Sequence, residues 1–178
     1  FTHRDRFLQK TTISFDASVA DFMLPLQAGA SIILAKPGGH RDLAYLAQVI
    51  REQQVTATQF VPSALRFLVE EPAFTQCTSL RTLIIGGEAL DWDTARAIYR
   101  LLPNVELGNF YGPSENTDDS THFVIRRGNL DTGTVPIGRP IANVLCYVLD
   151  AAGQLAPIGV PGELHIGGVQ LARGYRNR

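Results

Sequence analysis

Apolar and polar positions along the first two thirds of the chain fall into two alternating rhythms. Short β-branched and aliphatic runs predict strands at Thr11–Phe15, Ser31–Ala35, Val55–Phe60, Thr82–Ile85 and Val105–Phe110. Between them, helical spacing of apolar residues predicts helices at Val19–Gln27, Asp42–Gln53, Pro62–Glu70 and Trp92–Leu102. In the second helix Leu43, Leu46, Ala47 and Ile50 share one face, with Arg41, Arg51 and Glu52 outside it. Asp42 and Asp91 stand where N-caps belong, and Pro62 suits a first helical turn. Strands alternating with helices of this length predict an α/β fold, a parallel sheet with flanking helices on its faces.

After Glu115 the rhythm changes. Residues Asn116 to Gly133 are polar and read as a loop. Val144–Leu149 then reads as a strand, Asp150–Gly153 as a turn, and Gly162–Ile166 as a second strand. With no helix between them these strands form a hairpin, the start of a small β-barrel subdomain. The expected division is 1–128 for an α/β subdomain incomplete at its N-terminus, and 129–178 for a barrel portion incomplete at its C-terminus. Neither repeats nor low-complexity tracts interrupt this organisation.

At 178 residues the chain has room for one core with a small unit attached. A net charge of −1 gives no basic footprint for nucleic acid and no polybasic segment for a membrane surface. No apolar run approaches the roughly 20 residues of a spanning helix. Cys77 and Cys146 have neither metal-ligand spacing nor a disulfide framework, so each reads as a small buried or half-buried residue in a reducing, cytoplasmic setting. Opening on Phe1 and stopping at Arg178 just after a motif, the chain reads as an excerpt of something longer.

Candidate chemistry lies at strand ends, because ligands of parallel α/β sheets bind outside the carboxyl ends of the strands. Phe15-Asp16 closes the first predicted strand, Gly86-Gly87-Glu88 the fourth, and Tyr111-Gly112-Pro113-Ser114-Glu115 the fifth. Two glycines let backbone approach a flat ligand. A hydroxyl at Ser114 beside a carboxylate at Glu115 pairs a phosphate-oxygen donor with a Mg2+ ligand. Each segment also has a plain reading: a strand-to-helix turn at Gly86-Gly87, a solvated turn at Ser114-Glu115, a helix N-cap at Asp16. His3, His40 and His122 lack partners at triad or metal spacing, and Gly38-Gly39 lacks the Lys-Ser/Thr ending of a phosphate loop.

Phe15-Asp16-Ala17-Ser18, Asn109 to Glu115, Gly162-Glu163-Leu164-His165-Ile166-Gly167-Gly168 and Leu171-Ala172-Arg173-Gly174-Tyr175 follow one another in this order. Together they resemble the adenylate-forming superfamily, most closely the amino-acid adenylation domains of nonribosomal peptide synthetases, over nearly the whole chain. The resemblance implies activation of an amino acid by ATP and Mg2+, then transfer to a phosphopantetheine thiol on a peptidyl carrier domain, with condensation domains as further partners. It implies that Asn109 and Tyr111 hold the adenine, that Gly86, Gly87 and Glu88 line it, and that Gly112 shapes the turn. Ser114 would meet the α-phosphate and Glu115 the metal ion, as the catalytic pair. The family more often has Thr at the position of Ser114.

By the same resemblance Asp16 would hold the substrate ammonium, with Phe15 beside the carboxylate. Asp16, Ala17, Ala20, Gln59, Ile84, Gly86, Phe110, Asp118 and Asp119 would line the side-chain pocket. Small residues at Ala17, Ala20 (commonly Trp in the family) and Gly86 make that pocket roomy; Gln59, Asp118 and Asp119 make it polar and acidic. Two buried carboxylates call for a cation or a proton, so the expected substrate has a long basic or hydrogen-bonding side chain, unless Asp118 or Asp119 belongs to a solvated loop. Glu163, His165 and Arg173 read as structural. The family's phosphate loop is expected before Phe1, and its ribose-gripping aspartate and lysine after Arg178, so the chain alone is expected to be inactive. Two other classes stay open: a fatty-acyl or aryl-acid CoA ligase of the same superfamily, which has no use for Asp16, and a non-catalytic α/β interaction module.

Overall fold

The computed structural model describes residues 1–177. Five parallel strands carry the main sheet: β1 (Arg6–Gln9), β2 (Ser31–Leu34), β3 (Ala57–Phe60), β4 (Thr82–Gly86) and β5 (Glu106–Tyr111). Helices α1 (Ser18–Ala28), α2 (Leu43–Glu52), α3 (Pro62–Leu68) and α4 (Trp92–Leu101) connect them. Two antiparallel strands, β6 (Thr121–Ile125) and β7 (Arg139–Pro140), extend the sheet to seven in the order β2-β1-β3-β4-β5-β6-β7. Strands β8 (Val144–Leu149) and β9 (Glu163–Gly168) form a separate antiparallel hairpin. The pairing pattern thus changes between Pro140 and Val144.

The α/β architecture follows the sequence pattern, with two corrections. The first strand is Arg6–Gln9, and Thr11–Phe15 is a turn. The buried Asp21 carboxylate of α1 explains this: Oδ2 accepts from the backbone N–H of Lys10 (3.3 Å) and Thr11 (3.0 Å), pulling the chain off the sheet. Ile13 and Phe15 are accordingly exposed rather than packed. The second correction is β6, inside the segment expected to be a loop. Its backbone runs back along β5 from Leu107↔Ile125 to Tyr111↔Thr121. Its length of five residues and its mixed His-Phe-Val pattern give little periodicity to read.

The caps behave as their chemistry predicts. Asp42 Oδ1 accepts from Tyr45 N at 2.9 Å and Asp91 Oδ1 from Thr94 N at 2.6 Å, each satisfying an orphan donor of a first turn. One face of the sheet is closed by α2, α3 and α4: Leu46, Ile50, Leu65, Leu68, Ala95 and Ile98 bury against Leu83, Ile85 and Leu107. Cys77 is buried in this core, its Sγ–H reaching Ala47 O at 3.4 Å, while Cys146 is half-buried on β8; both are free. On the other face Phe7, Ala57 and Ile84 pack with Leu24 of α1 and with Phe110, and beyond α1 that face is open.

Candidate active site

All five parallel strands point the same way, so the β1–α1 turn, the Gly86-Gly87-Glu88 turn and the turn after β5 lie at one edge of the sheet. At that edge Ala17 occupies the N-cap position of α1 without a side-chain cap bond. Among the described residues, Asp16 Oδ1 accepts only from the adjacent Ala17 N, at 2.9 Å. An N-cap side chain reaches the second or third helical N–H, so the cap reading of Asp16 loses its support. Gln59, at the end of β3, turns its amide inward: Nε2 donates to Ala17 O (2.6 Å), Asp21 Oδ1 (2.6 Å) and Thr11 Oγ1 (3.3 Å). It holds the β1–α1 turn in place.

A cavity of about 1050 Å³ runs along the open face of the sheet, beside α1. Ala20, Ile84, Phe110, Asp118 and Asp119 line it. Asp16, Ala17, Gln59 and Gly86, also expected in the pocket, are not on its wall, nor is Phe15, expected beside the substrate carboxylate. Phe15 is 65% exposed, and Gly86 lies against Phe110, whose carbonyl would sit 2.8 Å from an added Cβ. Phe110 stacks on His122 of β6 with ring centroids 4.1 Å apart and planes at 15°. His122 faces the same cavity, and burial lowers its pKa.

The acidic character is concentrated. Burial, reinforced by the negative charges of Asp16 and Asp21, pushes the Asp118 carboxyl up to about 6. Burial, with Asp118 and Asp16 nearby, pushes Asp119 up to about 7. Asp21 is also raised, by burial, although the Thr11 and Lys10 amides and the Lys10 ammonium work against the shift. Lys10 sits 4.3 Å above the Phe60 ring and is itself lowered to about 8 by burial. Asp118 and Asp119 are therefore half-buried members of one field with Asp16, and the solvated-loop reading does not describe them.

The motif turn is built from tight backbone. A Cβ at Gly112 would lie 1.8 Å from Asp118 O, so only glycine fits where the turn folds back. Ser114 and Glu115 begin a short 3-10 turn and are exposed. The chain after β9 returns to this turn: Tyr175 Oη donates to Glu115 Oε1 (2.9 Å) and Ala172 N to Glu115 O (2.8 Å). Asn109 is 3% exposed; its Nδ2 donates to Pro136 O at 2.9 Å, and among the described residues no donor meets its Oδ1. Tyr111 is part exposed at 38%, Gly87 is exposed, and the Glu88 carboxylate is bound to Ser63 N and Oγ, both at 2.9 Å. Glu88 thus caps α3, and its backbone is what remains for a ligand.

No cluster of three or more His, Cys, Asp or Glu side chains among the described residues could hold a metal ion by itself. Glu115 offers one exposed carboxylate with Oε2 free of protein donors among those residues. Mg2+ is commonly held by one or two carboxylates together with substrate phosphates, so this donor set fits that ion. His165 pairs with Glu163 at 3.5 Å on the hairpin, away from these groups.

Residues 1–176 match the model of the family described as AMP-binding enzyme. The chain belongs to this family. It is 46% identical over 177 residues to tyrocidine synthase 3 of Brevibacillus parabrevis and 48% identical over 171 residues to phosphinothricin tripeptide synthetase PhsB of Streptomyces viridochromogenes. These matches cover 99% and 96% of the chain but only 3% and 14% of those synthetases. Among solved structures it superposes on the nonribosomal peptide synthetase FmoA3 with a TM-score of 0.92 at 28% identity, covering 99% of this chain and 19% of that one. On holo-PA1221, a synthetase protein with adenylation and carrier domains, the TM-score is 0.91 at 32% identity, covering 100% and 31%. The fold is that of the N-terminal part of an adenylation domain. Asp21, His122 and Tyr175 were not legible as site residues; for Asp21 the signal was a charge on the buried stripe Ser18, Asp21, Pro25 of α1.

Proposed function

We propose that this chain supplies the amino-acid pocket and part of the nucleotide site of an adenylation domain in a nonribosomal peptide synthetase. In this reading an amino-acid carboxylate oxygen bonds to the α-phosphorus of ATP. The bond from that phosphorus to the β-phosphate bridging oxygen breaks, giving an aminoacyl adenylate and pyrophosphate. A phosphopantetheine thiol of a carrier domain then attacks the acyl carbon, AMP departs, and the thiol proton is lost. The division into subdomains 1–128 and 129–178 belongs to the same proposal.

The observation that carries the reading is Asp16, a half-buried carboxylate at the strand-end edge with no helix-capping duty. An α-ammonium leaving water needs such an anion; a fatty-acyl or aryl-acid ligase does not. Asn109 Oδ1 is the acceptor left for the adenine amino group, Tyr111 the stacking surface, and Gly86, Gly87 and Glu88 the backbone that lines the base. Ser114 donates its hydroxyl to the α-phosphate, and Gly112 allows the turn that presents it. A Mg2+ ion on Glu115 and the phosphate oxygens would offset the charge of the leaving pyrophosphate. For the side chain, Ala20, Ile84 and Phe110 on the cavity wall leave room, Ala17 and Gln59 contribute through the β1–α1 turn they tie together, and Asp118 and Asp119 favour a long basic group such as that of ornithine, lysine or arginine.

The test is amino-acid-dependent ATP–pyrophosphate exchange by the parent adenylation domain, meaning this chain with the flanking sequence of its synthetase. Exchange with a basic amino acid supports both the reaction and the pocket. Exchange only with small apolar amino acids keeps the reaction and removes the acidic-pocket argument. Exchange only with fatty or aryl acids overturns the reading.

A further inference from the structure

The loop that carries Asp118 and Asp119 is held in a conformation its own residues disfavour. Thr117 has φ 54° and Asp118 φ 71°, two consecutive non-glycine residues in the left-handed region. Such backbone costs on the order of 1–3 kcal/mol per residue and persists only where the surroundings hold it. The only side chain among the described residues that bonds both ends of this pair is Gln170, in the segment leaving β9. Its Nε2 donates to Asn116 O at 2.8 Å and to Asp119 O at 2.7 Å, the residues on either side of the left-handed pair. Thr117 Oγ1 donates back to Gln170 O at 2.7 Å. Gln170 also lines the cavity beside Thr117, Asp118 and Asp119.

We propose that Gln170 is a positioning residue for amino-acid selectivity: by bracing Asn116 O and Asp119 O it fixes where Asp118 and Asp119 stand in the side-chain pocket. The inference rests on the adenylation reading above, and it assigns a selectivity role to the segment after β9, outside the sheet that builds the pocket. Deleting the Gln170 donors lets the left-handed pair relax while the motif turn keeps its other ties, through Ala172 N and Tyr175 Oη to Glu115.

The test replaces the amide with an isosteric group that cannot donate, Gln170→Met, in the parent adenylation domain. KM for the preferred amino acid is expected to rise about tenfold or more, since small misplacements in a site carry penalties of that order. The preference over the next-best amino acid should fall with it, while kcat and KM for ATP stay within about twofold. Thr117→Val removes the remaining bond of this contact, Thr117 Oγ1 to Gln170 O, without changing side-chain shape, and leaves both Nε2 donations in place. It is expected to give a smaller loss of the same kind, and the double variant to exceed either single effect. Amide hydrogen exchange of residues 116–120 in the same proteins should accelerate, with β4 and β5 unchanged. Unaltered selectivity with unaltered exchange overturns the proposal, as does a uniform fall in kcat for every amino acid. If the unsubstituted domain exchanges pyrophosphate with no amino acid, the adenylation reading and the selectivity role fall together. The hydrogen-exchange arm then decides separately whether Gln170 holds the loop.

Discussion

Neighbouring residues of the same strands build two faces that do opposite things. Leu83, Ile85 and Leu107 point into the core beneath α2, α3 and α4. Ile84, Gly108 and Phe110, one position along, line an open cavity. On the closed face the alternate positions are large aliphatics, because dense packing is what stabilises the sheet. On the open face glycine recurs, but the glycines do not simply leave empty space. A Cβ on Gly108 would meet the Phe110 ring at 2.7 Å and His122 Nε2 at 2.8 Å. The small residue makes room for an aromatic stack, and the stack shapes the floor of the cavity. One face is built to be full, and the other to be shaped.

The largest effect should come from breaking the closed face. Ile85→Ala is expected to destabilise the parent domain by about 2–5 kcal/mol, read as a lower urea midpoint at constant slope. Ile84→Ala, on the other face and already beside a void, should fall at or below the low end of that range. Equal losses would mean that both faces are packed alike.

Asp16→Ala sharpens the contrast from the other direction. Removing one partner of a desolvated charge pair typically costs about 2–5 kcal/mol in binding, so kcat/KM for amino acids should fall by about two orders of magnitude or more. Stability should change by less than about 0.5 kcal/mol, because Asp16 makes one local bond and caps nothing. An enzyme that keeps its amino-acid activity after this change has no use for the carboxylate.

Gly108→Ala tests the stack directly. The backbone there is ordinary strand, so the cost is overpacking, about 1–3 kcal/mol. The altered tilt of Phe110 over the cavity should shift the order of amino-acid preference. Unchanged preference would separate the stack from the pocket.

These tests bear on residues that were unequally legible in the sequence. The parallel sheet was readable because its core strands and helices carry period-2 and period-3.6 patterns strong enough to survive tertiary packing, as at Leu46, Ala47 and Ile50. The first strand was misplaced because Thr11–Phe15 looks β-branched and aromatic, while the bond that turns it aside comes from Asp21, ten residues on. The antiparallel β6 was missed because its order comes from pairing with β5 rather than from its own pattern. Motif residues could be named, but their second duties could not: Glu88 capping α3, Asn109 tied to Pro136, Tyr175 bonded to Glu115. Long-range hydrogen bonds have no period, so a sequence shows the residue type and hides the partner.

The smallest effect is the most specific to the open face, and it is a pH dependence. The Asp119 carboxyl titrates near 7 in the folded protein against an ordinary 3.8, and Asp118 near 6. Between those values the folded state keeps protons that the unfolded state has lost, so it binds more of them. Stability contributed by the protonated groups is therefore present below about pH 4, declines as pH rises towards 7, and is gone above it. Asp5, at the opposite edge of the sheet where β1 begins, behaves oppositely. Burial alone would raise it, but bonds from Thr56, Arg81 and Thr2 outweigh burial and hold it well below the usual carboxylate range, so its contribution is lost as pH falls. Asp119→Asn should thus leave stability unchanged near pH 4 and raise it by about 1 kcal/mol at pH 8, by unfolding midpoints at the two pH values. A cationic side chain reverses the preference, since it binds best when the pair is ionised. KM for a basic amino acid should therefore fall as pH rises from about 5.5 to about 8, and flatten in Asp119→Asn. A profile already flat in the unsubstituted domain would mean that the two carboxylates meet no cation, and that the acidic wall serves a neutral, hydrogen-bonding substrate while one of them stays protonated.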